Sequence, residues 1–128
     1  MDLEDYAGKC NETCWAIFRI VFGFLFLMHG LQKFGIVGDG ASFSLMSMMG
    51  VAGIIEIIVG VFVVLGLWVR WASILGGIEM AVAYFMVHFP QGMNPLANKG
   101  ELAILYFIGF LVLFAWGSGK WSLDSRNN

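Results

Sequence analysis

Four stretches of nearly unbroken apolar residues divide the chain, at residues 15–34, 50–69, 71–89 and 101–117. Each is close to the ~20 residues that a helix needs to cross hydrocarbon, so the pattern predicts four transmembrane helices. The punctuation between the runs agrees. The first, WAIFRIVFGFLFLMHGLQKF, ends in GIVGDGAS, whose glycines and Asp39 break a helix. The short, Met-rich FSLMSMMG reads as an interfacial or re-entrant lead-in. The second run, GVAGIIEIIVGVFVVLGLWV, is closed by Arg70 and the third by Pro90. The loop PQGMNPLANKG carries both prolines, and after the fourth run GSGKWSLDSRNN leaves the membrane. The expected architecture is all-α: one integral membrane domain over residues 1–128, built as a four-helix transmembrane bundle.

Polar positions interrupt this pattern at Arg19, His29, Lys33, Glu56, Glu79, His88 and Glu101, each within or at the end of an apolar run. A charge in hydrocarbon costs at least ~2.5–3.5 kcal/mol on insertion scales, so such residues normally face a bundle interior and pair with one another. Spacing supports this for several of them. Arg19, Gly23, Phe26, Gly30 and Lys33 are separated by threes and fours and share one face of the first helix. Gly53, Glu56 and Gly60 do the same on the second helix, and Gly76, Glu79 and Ala83 on the third. His88 departs from the rule: nine residues after Glu79, it falls about 180° away on an ideal helix.

Depth sorts these groups into two layers. Counting from the ends of the runs predicts an inner pair, Arg19 with Glu79, and an outer cluster of His29, Lys33, Glu56, His88 and Glu101. Structural alternatives stand beside each. Lys33 can snorkel to the headgroups, Arg19–Glu79 can be a purely structural pair, and Glu101 can complement the dipole of its own helix. His29 is open between a packing residue and a proton carrier. Glu56 has the weakest structural alternative, since it lies too deep to snorkel.

Composition fits a membrane solvent. Of the 128 residues 59% are hydrophobic and 12% charged, and the mean hydropathy is +0.82, whereas a soluble domain carries about a quarter charged residues. The net charge of −2 and the absence of a basic stripe exclude a nucleic-acid partner. The acidic start MDLEDYAGKCNETC does not read as a signal peptide. With four spans both termini share a side, and Lys9, Arg70, Lys120 and Arg126 lie there against Lys33 and Lys99 on the other. The positive-inside rule then puts both termini in the cytoplasm and the protein in the cell membrane. Trp15, Trp68, Trp71, Trp116 and Trp121 fall near that same face as an interfacial belt. Cys10 and Cys14 are one helical turn apart, but two thiols do not complete a metal site, and no metal is expected. No dinucleotide motif or nucleophile elbow is present.

The ordered set R-x3-G-x6-G-x2-K from Arg19 to Lys33, GIIEIIVGVFVVLGLWVR with Glu56, GGIEMAVAYFMVHFP with Glu79 and His88, NKGELAILY with Glu101 and Tyr106, and GSGKWSLD resembles the DoxX family of small four-helix membrane proteins. The likeness runs from about Trp15 to Asp124. It implies a membrane subunit linked to redox chemistry, one branch of the family belonging to a thiosulfate:quinone oxidoreductase and others accompanying quinone resistance or oxidative-stress defence. The expectation is therefore a quinone-interacting oxidoreductase subunit in the lipid bilayer, with Glu56, His29 and Glu101 carrying the chemistry. Lys33, Arg19, Glu79, Tyr106 and His88 would contact the quinone or hold the site, with Tyr84 a further donor. Electrons would come from a soluble or peripheral redox partner, and a homodimer is compatible with the free glycine faces. A small-solute transporter and a membrane scaffold for redox partners are the alternatives from other classes.

Overall fold

The computed structural model describes residues 1–39 and 42–127, and no strand occurs among them. Helix α1 runs Leu3–Gln32, α2 Met48–Leu65, α3 Val69–Ala83, α4 Glu101–Trp116, and a short α5 Leu123–Arg126. Three helical stretches, Leu3–Gln32, Met48–Leu65 and Val69–Gln91, are long and apolar enough to cross a membrane, and α4 is a shorter apolar helix. The expected bundle is present. Gly40 and Ala41, part of the break predicted after α1, lie outside the described residues.

Helix α1 starts twelve residues before its apolar run. The cause is a capping box: Asp2 accepts from the Asp5 amide at 2.9 Å while the Asp2 amide donates to Asp5 at 3.2 Å. The thirty residues span about 45 Å, so the exposed first turns project beyond the apolar stretch. Helix α2 starts where Ser47 accepts from the Gly50 amide at 3.0 Å, and the segment before it, Ser42–Ser44, is irregular.

The antiparallel α1–α2 pair meets backbone to backbone through glycines at heptad spacing. A β-carbon on Gly30 would lie 2.7 Å from the Gly53 carbonyl oxygen, and one on Gly60 would lie 2.7 Å from the Leu27 amide. Small residues permit this approach where lipid supplies no hydrophobic drive. Between α3 and α4, the Phe110 ring covers Gly76, where a β-carbon would lie 2.5 Å from it. Phe26, Val59, Val63, Met80, Tyr106, Phe110 and Leu113 form the core.

Helix α3 does not stop at Ala83. It widens into a π turn over Tyr84–His88 and tightens into a 3₁₀ turn over Phe89–Gln91. Pro90 explains the change: it has no amide to donate, and its ring crowds the carbonyl four residues earlier. At the other end of the bundle the tryptophans gather. Trp15 packs on Trp116 at 6.1 Å and donates to the Gly117 carbonyl at 3.0 Å. The Lys120 amide reaches Glu12 at 3.2 Å, so the N-terminal helix and the C-terminal segment share that end.

Candidate functional site

The deepest charge in the structure does not pair with an acid. Arg19 is 1% exposed, and it donates to the Val63 carbonyl at 3.0 Å, the Val64 carbonyl at 3.5 Å, the Trp121 carbonyl at 2.7 Å and the Ser118 carbonyl. The predicted Arg19–Glu79 pair is absent. The physical reason is depth. Val63 and Val64 are at the C-terminal end of α2, where carbonyls run short of helical N–H partners; Val63 also accepts from the Gly66 amide at 3.2 Å, and a planar fork of five donors supplies the rest. Glu79 is ten residues past Val69, about 15 Å further into the bundle, out of reach of that end. Arg19 is thus a cap on α2 and an anchor for the C-terminal segment, remote from the site described next.

Asp124 completes this clasp from the other side. It accepts from the Trp68 amide at 2.8 Å, from the Val69 amide at 3.4 Å and from the Ser118 hydroxyl. It thereby caps α3, whose preceding residue Trp68 holds a left-handed φ of 48° and offers no side-chain cap of its own. Burial alone would raise the Asp124 carboxyl. The bonds from Ser118, Trp68 and Val69, with the charge of Arg19, outweigh that and hold it below the usual carboxylate range. Such a group stabilises the fold above its unfolded value, about 3.9 for aspartate, and loses the contribution as pH falls through the folded value. Asp124→Asn should therefore melt below the parent at neutral pH, with the gap closing at pH below about 3.9. A gap constant into strong acid would mean that the carboxylate charge is not what matters.

Of the outer residues, His29, Lys33, Glu56 and His88 line one cavity and Glu101 does not. Lys33 Nζ lies 2.7 Å from Glu56 Oε2, and Glu56 is 4% exposed. The pair sits on the wall of a cavity of about 350 Å³. Helix α1 contributes Phe26, His29 and Lys33, α2 contributes Met48, Met49, Ala52 and Glu56, and α3 contributes Glu79, Met80, Val82 and Ala83. Met86, Val87 and His88 of the π turn, Lys99, and Leu102, Ala103 and Tyr106 of α4 close it. Glu79, assigned from the sequence to the inner layer, belongs here instead. Its Oε2 is buried and has no hydrogen-bond partner among the described residues. His29 stands edge-on to Tyr106, ring centroids 5.6 Å apart.

His88, placed in the outer cluster although an ideal helix would turn it away from Glu79, also lines the cavity. The π turn inserts one residue into the helical repeat, which turns His88 back by about 100° toward the face of Glu79. Its Nδ1 lies 3.1 Å from the Asn98 carbonyl oxygen. Glu101 is the reverse case. It is exposed in the first turn of α4 and outside the cavity wall, where it complements the positive end of its own helix. Tyr84 turns aside as well, its hydroxyl 3.5 Å from Asn98 Nδ2.

Asn98 is the residue the sequence reading missed. It is fully buried, donates to the Gly92 carbonyl at 2.9 Å and accepts from the Gly100 amide at 2.8 Å. It ties the proline-containing loop into the rim and positions His88. Its signal was available in principle, since an asparagine two residues before a helix-starting glycine commonly bonds the backbone two positions on.

The DoxX family model matches residues 14–89, more than half of the chain. An uncharacterized protein of Haemophilus influenzae is 38% identical over 125 residues, covering 87% of this chain and 88% of its own. An uncharacterized membrane protein of Mycobacterium tuberculosis is 27% identical over 127 residues, covering 84% of this chain and 77% of its own. No solved structure matches. On the family model and on a relative aligned along most of both chains, this helical membrane protein belongs to the DoxX family.

Proposed function

We propose that the cavity binds the ring of a membrane quinone and that the protein serves as the quinone-interacting subunit of a membrane oxidoreductase. The observation that carries this reading is a mostly apolar cavity containing a carboxyl oxygen, Glu79 Oε2, without a protein partner. Buried polar atoms are nearly always satisfied, so a lone one in a cavity marks a ligand contact. The volume of about 350 Å³ falls in the range of small-molecule sites, which are apolar with a few placed polar groups. A quinone ring matches both features, with flat apolar faces and two carbonyl oxygens that accept hydrogen bonds.

The chemistry divides cleanly. Reduction to the quinol takes two electrons and two protons. A peripheral redox partner supplies the electrons, because the chain carries no cofactor motif. Glu79 in its protonated form donates to one quinone oxygen. Lys33, with only one of its three N–H groups engaged by Glu56, donates to the ring or to the other oxygen. His29, on the same wall, relays protons.

The test is equilibrium binding of a short benzoquinone probe to the purified protein in nanodiscs. Glu79→Ala, which removes the donor, should weaken binding about fivefold, the worth of a neutral hydrogen bond, and Lys33→Met about tenfold or more, the worth of one from a charged group. Glu101→Gln should bind as the parent does. Absence of binding to the parent, or equal binding by all three variants, would exclude the reading, and uptake of a small solute by vesicles would support the transporter instead.

A further inference from the structure

A second hollow lies beside the cavity. Tyr106 and Leu102 border both, and this one, of about 450 Å³, is an almost wholly apolar groove on the lipid-facing side of α1 and α4. Its length follows α1 from Leu25 back to Trp15, ten residues or about 15 Å. Leu105, Ile108 and Val112 form the facing wall.

The groove exists because two interfaces are built differently. Helices α1 and α2 touch at glycines. Between α1 and α4 the contact is made by rings: Phe22 lies 5.1 Å from Tyr106 and 5.0 Å from Phe110, and Phe26 lies 4.9 Å from Phe110. Rings hold the two backbones apart, and a furrow remains outside them. Polarity changes between the two hollows. Lys33, Glu56 and Glu79 stand at the cavity end, while no charged side chain borders the groove.

We infer that the cavity's ligand carries a linear apolar chain, and that the chain leaves past Tyr106 and lies in the α1–α4 groove. This rests on the reading of the cavity as a ring-binding site, and it narrows the substrate class to lipid-soluble amphiphiles. The ligand then arrives from the bilayer, not from water. Adjacency favours this route, since Leu102 and Tyr106 line both hollows. The competing exit, between α2 and α3 past Met48 and Met86, opens on exposed side chains directly at the protein surface. The groove, by contrast, offers apolar walls for a chain along α1 and α4.

Lipid tails are as apolar as the groove, so the chain gains little affinity there. Position is the informative readout. The full-length protein in nanodiscs would be illuminated with a benzoquinone bearing an alkyl chain and a terminal diazirine, and the labelled residues mapped by mass spectrometry. Most of the label is expected at Leu25, Leu105, Ile108 and Val112, and an excess of the same ring without a chain should remove it. Ile108→Trp, which fills the groove, should displace the label while leaving binding of the chainless ring unchanged; a second filling variant, Val112→Trp, serves if the first fails to fold. Label at Met48, Val82 or Met86, label scattered over all lipid-facing residues, or groove label that the chainless ring does not remove would each overturn the inference. Failure of the chainless ring to bind at all, read separately by dialysis, would instead remove the cavity reading beneath it.

Discussion

Arg19→Ala should destabilise the protein by about 3–5 kcal/mol, since it leaves several buried carbonyls short of a donor at about 1–3 kcal/mol each. Four carbonyls, those of Val63, Val64, Ser118 and Trp121, lose the bond from Arg19 together, and of these Val63 keeps a bond from the Gly66 amide. Two of them end α2, and two belong to the C-terminal segment that Asp124 fastens to α3. The loss therefore loosens three elements at once. Thermal unfolding of the detergent-solubilised protein reads it directly. Arg19→Lys keeps the charge but has a single nitrogen in place of the fork, so its melting temperature should fall between parent and alanine variant. Glu79→Gln provides the control. If Arg19 were held by Glu79, that substitution would cost as much. With carbonyls as the partners, it should change stability by less than about 1 kcal/mol.

Lys33→Ala should produce the second large loss, about 3 kcal/mol, and the pair should respond asymmetrically. Removing Lys33 leaves Glu56, 4% exposed, as a carboxylate with no cation bonded to it, eight residues inside α2. Its escape is to take up a proton, which keeps the cost at the low end of the range. Removing the acid is milder. Lys33 is more accessible, with 17% of its side chain exposed, and a long stem at the end of α1 can carry the ammonium to the headgroups. Glu56→Gln should therefore cost less than Lys33→Ala, and adding Glu56→Gln to Lys33→Ala should restore part of the loss. A double-mutant cycle measures this coupling. Additive losses would mean that the 2.7 Å contact contributes nothing to the fold.

How the charges sort between these two clusters was only partly legible in the sequence. Threes-and-fours spacing put Arg19 and Lys33 on one face of α1, and the structure uses that face at two separate depths: Arg19 at the tryptophan end and Lys33 in the cavity. The spacing holds no information on which partner a side chain meets. Glu79 was assigned to Arg19 by counting from the ends of the apolar runs. That count ignores backbone acceptors, whereas the carbonyls at the end of α2 have acceptor capacity left over and compete for the guanidinium. The angle of His88, at odds with its place in the outer cluster, has a different reason. An ideal 3.6-residue repeat was carried through a segment that Pro90 forces into a π turn, and one inserted residue redirects every side chain after it. Glu101 was drawn into the cluster by its depth alone, while the actual closure of the cavity at that end falls to Lys99, Leu102 and Ala103.

The apolar runs, the helices that follow from them, the tryptophan-rich end and the glycine faces were all determined by the chain's own order. Each depends on local periodicity and on the transfer of side chains between water and lipid, which act on residues one turn apart. What required the folded molecule was the meeting of distant groups: the Arg19 and Asp124 clasp, the entry of Glu79 and His88 into one cavity, and the placing of the α1–α4 groove beside that cavity. These arise from open backbone acceptors, a proline-induced change of helical pitch and the bulk of aromatic rings between helices, all of which act through three-dimensional packing and leave no periodic trace along the chain.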